Sequence, residues 1–105
     1  MVRVVNLNFQ KCDVEVCRPG PFGNPYSHLL YATAGIHVRN RDEAVDRFAE
    51  YFYSEKGRPL RERTLAEISD NVTIGCHCAP KRCHADIIAG YLNWKRIPIQ
   101  GIRGM

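Results

Sequence analysis

The segment Arg18-Pro-Gly-Pro-Phe-Gly-Asn-Pro-Tyr26 constrains this chain more than any other. Three prolines and two glycines fall within its nine positions, so neither a helix nor a strand can run through it. Each proline fixes φ and removes a backbone donor, while each glycine permits angles that other residues avoid. The segment is therefore a stiff loop. At 105 residues the chain around it has room for one domain with one modest core.

The flanking sequence supplies the elements. Val2 to Val5 is a β-branched run that predicts a first strand, and Asp13-Val-Glu-Val-Cys17 alternates polar and apolar as a second. Residues 28–34 fit either a helical turn or an extended connection. Asn40 followed by Glu43 is a capping arrangement that opens a helix from Arg41 to Tyr53, with Val45, Phe48 and Phe52 as its inner stripe. Gly57 and Pro59 are expected to end that helix, and a shorter one follows from Leu60 to Ser69 with Leu65 and Ile68 inward. Val72 to Cys76 reads as a buried strand. Ala79-Pro80-Lys81-Arg82 then leads into a helix from Arg82 to Trp94, with Pro80 near its first turn and Ala85, Ile88, Tyr91 and Leu92 inward. The tail, with Ile97, Pro98, Ile99 and Ile102, forms an edge strand or lies over the core. Together these predict one small α/β domain over residues 1–105, a sheet with helices packed on it. Its strand–loop–helix site falls in the C-terminal third.

A hydrophobic fraction of 45% and a charged fraction of 25% are those of an ordinary folded protein. No apolar run is long enough to span a bilayer, and Met-Val-Arg-Val-Val-Asn lacks the apolar block of a signal peptide. The expectation is no membrane association and a cytoplasmic location. The net charge of +4 lies wholly in residues 71–105, where five basic residues (Lys81, Arg82, Lys95, Arg96, Arg103) face one acid, Asp86. Five cysteines, an odd count, favour free or metal-bound thiols in a reducing compartment over a disulfide scaffold. Cys12 and Cys17 read as packed small residues.

The remaining three cysteines stand in Cys76-His-Cys-Ala-Pro-Lys-Arg-Cys-His84, at a strand-to-helix junction. The first N–H groups of a helix lack partners and its dipole is positive there. Lys81 and Arg82 add two full charges. Such surroundings predict a depressed thiol pKa, Cys83 above all, and an affinity for anions. In one reading Cys76, Cys78, Cys83 and His84 form a zinc shell, although Cys-x-Cys-x4-Cys-His is not the usual Cys-x2-Cys knuckle. In a second, Cys83 is a nucleophile with His84 or His77 as its base. Cys76 and Arg82 also match the Cys-x5-Arg spacing of tyrosine-phosphatase-like loops, against which Pro80 removes a needed donor. In a third, the thiols are small apolar residues at the end of a central strand and a local carbonyl satisfies His84.

The ordered pair Arg18-Pro-x-x-x-Gly23-Asn24-Pro25-Tyr26 and Cys76-x-Cys78-x-Pro80-x-x-Cys83-His84-Ala85-Asp86 resembles the domain of unknown function family 4326, small proteins found largely in phages and bacteria. His77 and Arg82 depart from its common pattern. The resemblance implies that the two motifs belong together, with the Arg18–Tyr26 loop facing the start of the last helix across the strand ends. Ligands bind at that edge in open α/β sheets. Arg18 can fork onto a phosphate or carboxylate, Asn24 can orient a planar polar group, and Phe22 and Tyr26 offer stacking faces. The leading expectation is a pocket for a phosphate-bearing or nucleotide-like small molecule. Arg18, Lys81 and Arg82 would hold its charge, Asn24 and Tyr26 would orient it, and Cys83 with His84 would carry any chemistry. No cofactor is required by this reading, and turnover is left open. The alternative is a zinc-stabilised module that binds nucleic acid or a host protein, in the host cytoplasm if the gene is a phage's.

Overall fold

A computed structural model describes residues 1–17, 20–27 and 36–97. Three strands, β1 (Arg3–Asn6), β5 (Thr73–Cys76) and β2 (Val14–Glu15), form one sheet in that spatial order, with β5 in the centre. Both neighbours run parallel to β5: Val4 pairs with Ile74 and Asn6 with Cys76 on one side, and Val14 pairs with Ile74 on the other. A second parallel pair joins β3 (Tyr26–Ser27) to β4 (Ile36–His37). The helices are α1 (Arg41–Tyr53), α2 (Arg58–Glu67) and α3 (His84–Lys95). The architecture is a small α/β domain, as the alternation of elements predicts.

Parallel β1 and β2 lie on opposite sides of β5, so residues 7–13 must return the chain across one face of the sheet. They do so over Gly75. A Cβ there would stand 2.5 Å from Cys12 Sγ and 2.6 Å from Leu7 Cδ2, so only hydrogen fits beneath the crossing. Side chains alternate along a strand, and Ile74 and Cys76 are accordingly buried on the other face, in one core with Phe48, Ile88 and Leu92.

Helix α1 runs over the span its cap predicts, and Asn40 Oδ1 accepts from Glu43 N–H at 2.8 Å. It stops at Tyr53, ahead of Gly57 and Pro59. Residues Glu55–Gly57 form a 3-10 turn, and α2 begins at Arg58 with Pro59 in its first turn, where no N–H is needed. Gly57 is buried in that connection, and a Cβ on it would stand 2.2 Å from the carbonyl oxygen of Tyr51. Two arginines close the helix ends. Arg61 donates to the carbonyls of Phe52 and Ser54 at the end of α1, and Arg96 to those of Leu65 and Ile68 at the end of α2. This gives Arg96, one of the late cations, a structural task. Helix α3 starts at His84, later than Arg82, and Pro80 lies in the preceding turn after a cis peptide bond. Its expected inner residues Ala85, Ile88, Tyr91 and Leu92 are all buried. Residues 28–34 and the tail beyond residue 97 lie outside the described residues.

Candidate functional site

The carboxyl end of the central strand delivers Cys76 directly beneath the start of α3. Cys76 and Cys83 are both buried, at 2% and 3% exposure, in the same core. A hydrogen bond from the Cys83 thiol is the chief cause lowering the Cys76 pKa to about 6, and the backbone N–H groups of Cys78 and Ala79 add to it. The same bond, with burial, pushes Cys83 well above the ordinary thiol range. Within the pair Cys76 is favoured as the thiolate and Cys83 as the thiol. This reverses the expectation of a depressed Cys83 pKa. The turn after β5 aims two N–H donors at Cys76, whereas Cys83 receives one, from Ala85.

The helix start is also less open to an anion than its charges predict. Asp86 turns its own carboxylate back onto Cys83 N–H at 3.0 Å, half of a capping box. Arg82 bridges Asp46 at 2.6 Å and Asp42 at 3.5 Å on α1. Its charge is thus shared with two exposed carboxylates. Lys81 is exposed at the turn.

The second motif reaches the segment that leads into the first. His84 is buried, and its Nε2 stands 2.7 Å from the carbonyl oxygen of Val16, just before the Arg18–Tyr26 loop. Its Nδ1 faces Cys83 Sγ at 3.5 Å, and its ring stands edge-on to Phe48. Cys17, half-buried at the loop's entrance, hydrogen-bonds through Sγ to the carbonyl of Gly75 at 3.6 Å, and burial raises its pKa. Asn24 is buried and holds the loop itself. Its Nδ2 donates to Ala44 O at 3.0 Å and its Oδ1 accepts from Tyr26 N–H at 2.9 Å. Phe22 is no stacking platform: it is 5% exposed, belongs to the core, and lies under the Arg63 guanidinium at 5.7 Å. Tyr26 is half-buried against the same core. Arg18 lies outside the described residues.

Among the described residues no group of three or more His, Cys, Asp or Glu is arranged to hold a metal ion. Cys76, Cys78, Cys83 and His84 thus do not gather into the zinc shell their spacing allows. Sequence reasoning also missed an open concavity of about 610 Å³ on the crossover side, lined by Leu7, Gln10, Lys11, Cys12, Glu15 and His77. Its one signal was Gly75, whose missing side chain admits the crossing chain. No helix among the described residues is long and apolar enough to cross a membrane.

No solved structure matches the chain significantly. An uncharacterized 12.4 kDa protein in the nrdA-td intergenic region of Enterobacteria phage T4 is 30% identical over 93 residues, covering 89% of this chain and 79% of the phage protein. The family described as Domain of unknown function (DUF4326) matches residues 2–94, a span that holds both motifs and all of the described elements but the last residue of α3. The chain belongs to the DUF4326 family.

Proposed function

We propose that the protein binds a small phosphate-bearing or nucleotide-like molecule at the carboxyl edge of its parallel sheet, between the Arg18–Tyr26 loop and the Cys76–His84 connection. The observation that carries this reading is the His84–Val16 hydrogen bond, which ties the start of α3 to the segment leading into the Arg18–Tyr26 loop. Strand ends of parallel sheets are where helix N-termini and loops converge on ligands. Lys81 supplies charge from one motif and Arg18 from the other, while Tyr26 borders the loop. Asn24 serves by fixing the loop's shape. Cys83 and His84 lie under this edge, so the geometry supports binding more directly than turnover.

A thermal-shift screen with nucleoside mono-, di- and triphosphates and inorganic phosphate tests the reading. A saturable rise in Tm, lost in Arg18→Ala and in Lys81→Ala, is the expected result. A flat response across the panel would overturn it. A rise lost instead in Lys11→Ala would move the ligand to the crossover-side concavity and overturn the placement.

A further inference from the structure

Helix α3 buries Ala85, Ile88, Tyr91 and Leu92 in the core. On its other side helical spacing aligns Ile87, Gly90 and Trp94, and Ile97 follows just past the helix end. Trp94 is 65% exposed and Ile97 46%, while Ile87 is only partly packed against the core. Gly90 is exposed at mid-helix, where glycine is the least favourable residue after proline. At Gly57 and Gly75 an added Cβ would collide with the chain, but at Gly90 no atom among the described residues lies within 4 Å of it. Among the described residues, then, no contact calls for a glycine at that position.

The four positions are symmetric about Leu92, with Gly90 and Trp94 as the inner pair and Ile87 and Ile97 as the outer pair. Two copies of α3 laid antiparallel about a two-fold axis at Leu92 set Trp94 of each over Gly90 of its partner, and Ile87 over Ile97. A knob and a hollow on the same face form the self-complementary patch that a two-fold interface requires. Charge selects the same direction. Asp86 lies in the first turn of α3 and Lys95 in the last, so antiparallel copies bring unlike charges and unlike dipole ends alongside. Parallel copies would bring like ones together.

We propose that the protein self-associates through the outer face of α3 as an antiparallel two-fold dimer, with Trp94 seated on Gly90 of the partner. The glycine lets the indole reach the partner's helix backbone. A patch of four apolar positions a copy lies below the about 1,200 Å² total of standard interfaces, so the expected Kd is on the order of 10 to 100 µM. The dimer does not depend on any ligand at the strand edge.

Sedimentation of the full chain under reducing conditions, from about 5 to about 500 µM, brackets that Kd. A monomer–dimer equilibrium is the expected result, and a monomer throughout would overturn the proposal. Trp94 is the chain's one tryptophan, so its fluorescence reads the contact directly. Emission should shift to the blue and resist acrylamide quenching as concentration rises. A Trp94 already shielded at the lowest concentration would mean that the chain covers its own indole, which would overturn the dimer. Gly90→Leu fills the hollow where the chain leaves room, so Tm should hold or rise while the dimer weakens about tenfold or more. An undiminished dimer in Gly90→Leu or in Trp94→Ala would overturn this seat. Ile97→Glu should weaken the dimer, and adding Ile87→Lys should restore it, because the two positions face each other only in antiparallel copies. Failure to restore it in a folded double variant would overturn the direction, and the wild type and Gly90→Leu decide the interface even if Ile87→Lys folds poorly.

Discussion

His84, the first residue of α3, is joined through Nε2 to the carbonyl oxygen of Val16 at 2.7 Å, across 68 positions of sequence. One imidazole thereby connects the loop-bearing end of the chain to the helix that follows the central strand. Both partners are buried. His84→Leu strands the Val16 carbonyl without that donor, which costs about 1–3 kcal/mol. Urea unfolding should show the loss as a lower midpoint with an unchanged slope, and an unchanged midpoint would count against a structural role for the bond.

The Cys76–Cys83 pair makes stability depend on pH in a defined window. Cys76 is lowered to about 6 in the fold, against an ordinary thiol value of about 8.5. Between those values the unfolded chain binds a proton that folded Cys76 has released, so stability rises with pH and is lost as pH falls through the folded value. Cys83 is raised instead, so above about 8.5 the unfolded chain releases a proton that the fold retains, and stability declines again. Urea midpoints measured under reducing conditions should peak near the ordinary thiol pKa. Cys76→Ser should flatten both limbs.

Crowding at Gly75 has a direct test. Gly75→Ala inserts a methyl 2.5 Å from Cys12 Sγ and 2.6 Å from Leu7 Cδ2, and overpacking of this kind costs about 1–3 kcal/mol. Adding Cys12→Ala should recover part of the loss in thermal denaturation, since the two changes share one contact.

The loop-holding role of Asn24 separates from charge recognition by one substitution. Asn24→Asp keeps the acceptor for Tyr26 N–H but replaces the donor to Ala44 O with a second acceptor. Buried and ionised, it would face a carbonyl at close range. Chemical denaturation should show a larger loss at pH 7 than at pH 4, where protonation restores a donor. Equal losses at both values would exclude this account.

Arg82 is expected to matter little. Its pairs with Asp42 and Asp46 are exposed, and such pairs contribute weakly and are screened by salt. Arg82→Ala should leave Tm nearly unchanged at high ionic strength and should not alter any ligand response. Loss of that response would return Arg82 to the site.

What could be read from the sequence was what depends on near neighbours. Asn40 and Glu43 define the start of α1 because a cap is a bond between residues three apart. The inner face of α3 follows from helical spacing, and the Arg18–Tyr26 loop from proline and glycine alone. The late excess of positive charge was also plain in the sequence, and it suggested an anion site with its thiolate on Cys83. Tertiary structure reversed the expectation for Cys83 and paired several of these charges, because charge and protonation answer to groups brought close in space. Arg82 meets carboxylates on α1, Arg96 meets the end of α2, and Asp86 satisfies Cys83 N–H. Cys76 rather than Cys83 is favoured as the thiolate because it is met by the Cys83 thiol and by N–H groups of the turn after β5. Likewise, the parallel order with β5 between β1 and β2 rests on pairings some 60 to 70 residues apart, which no local pattern encodes. The sequence by itself determined the elements and the two motifs. The bond from His84 to Val16, and the direction of each thiol's pKa, belong to the fold.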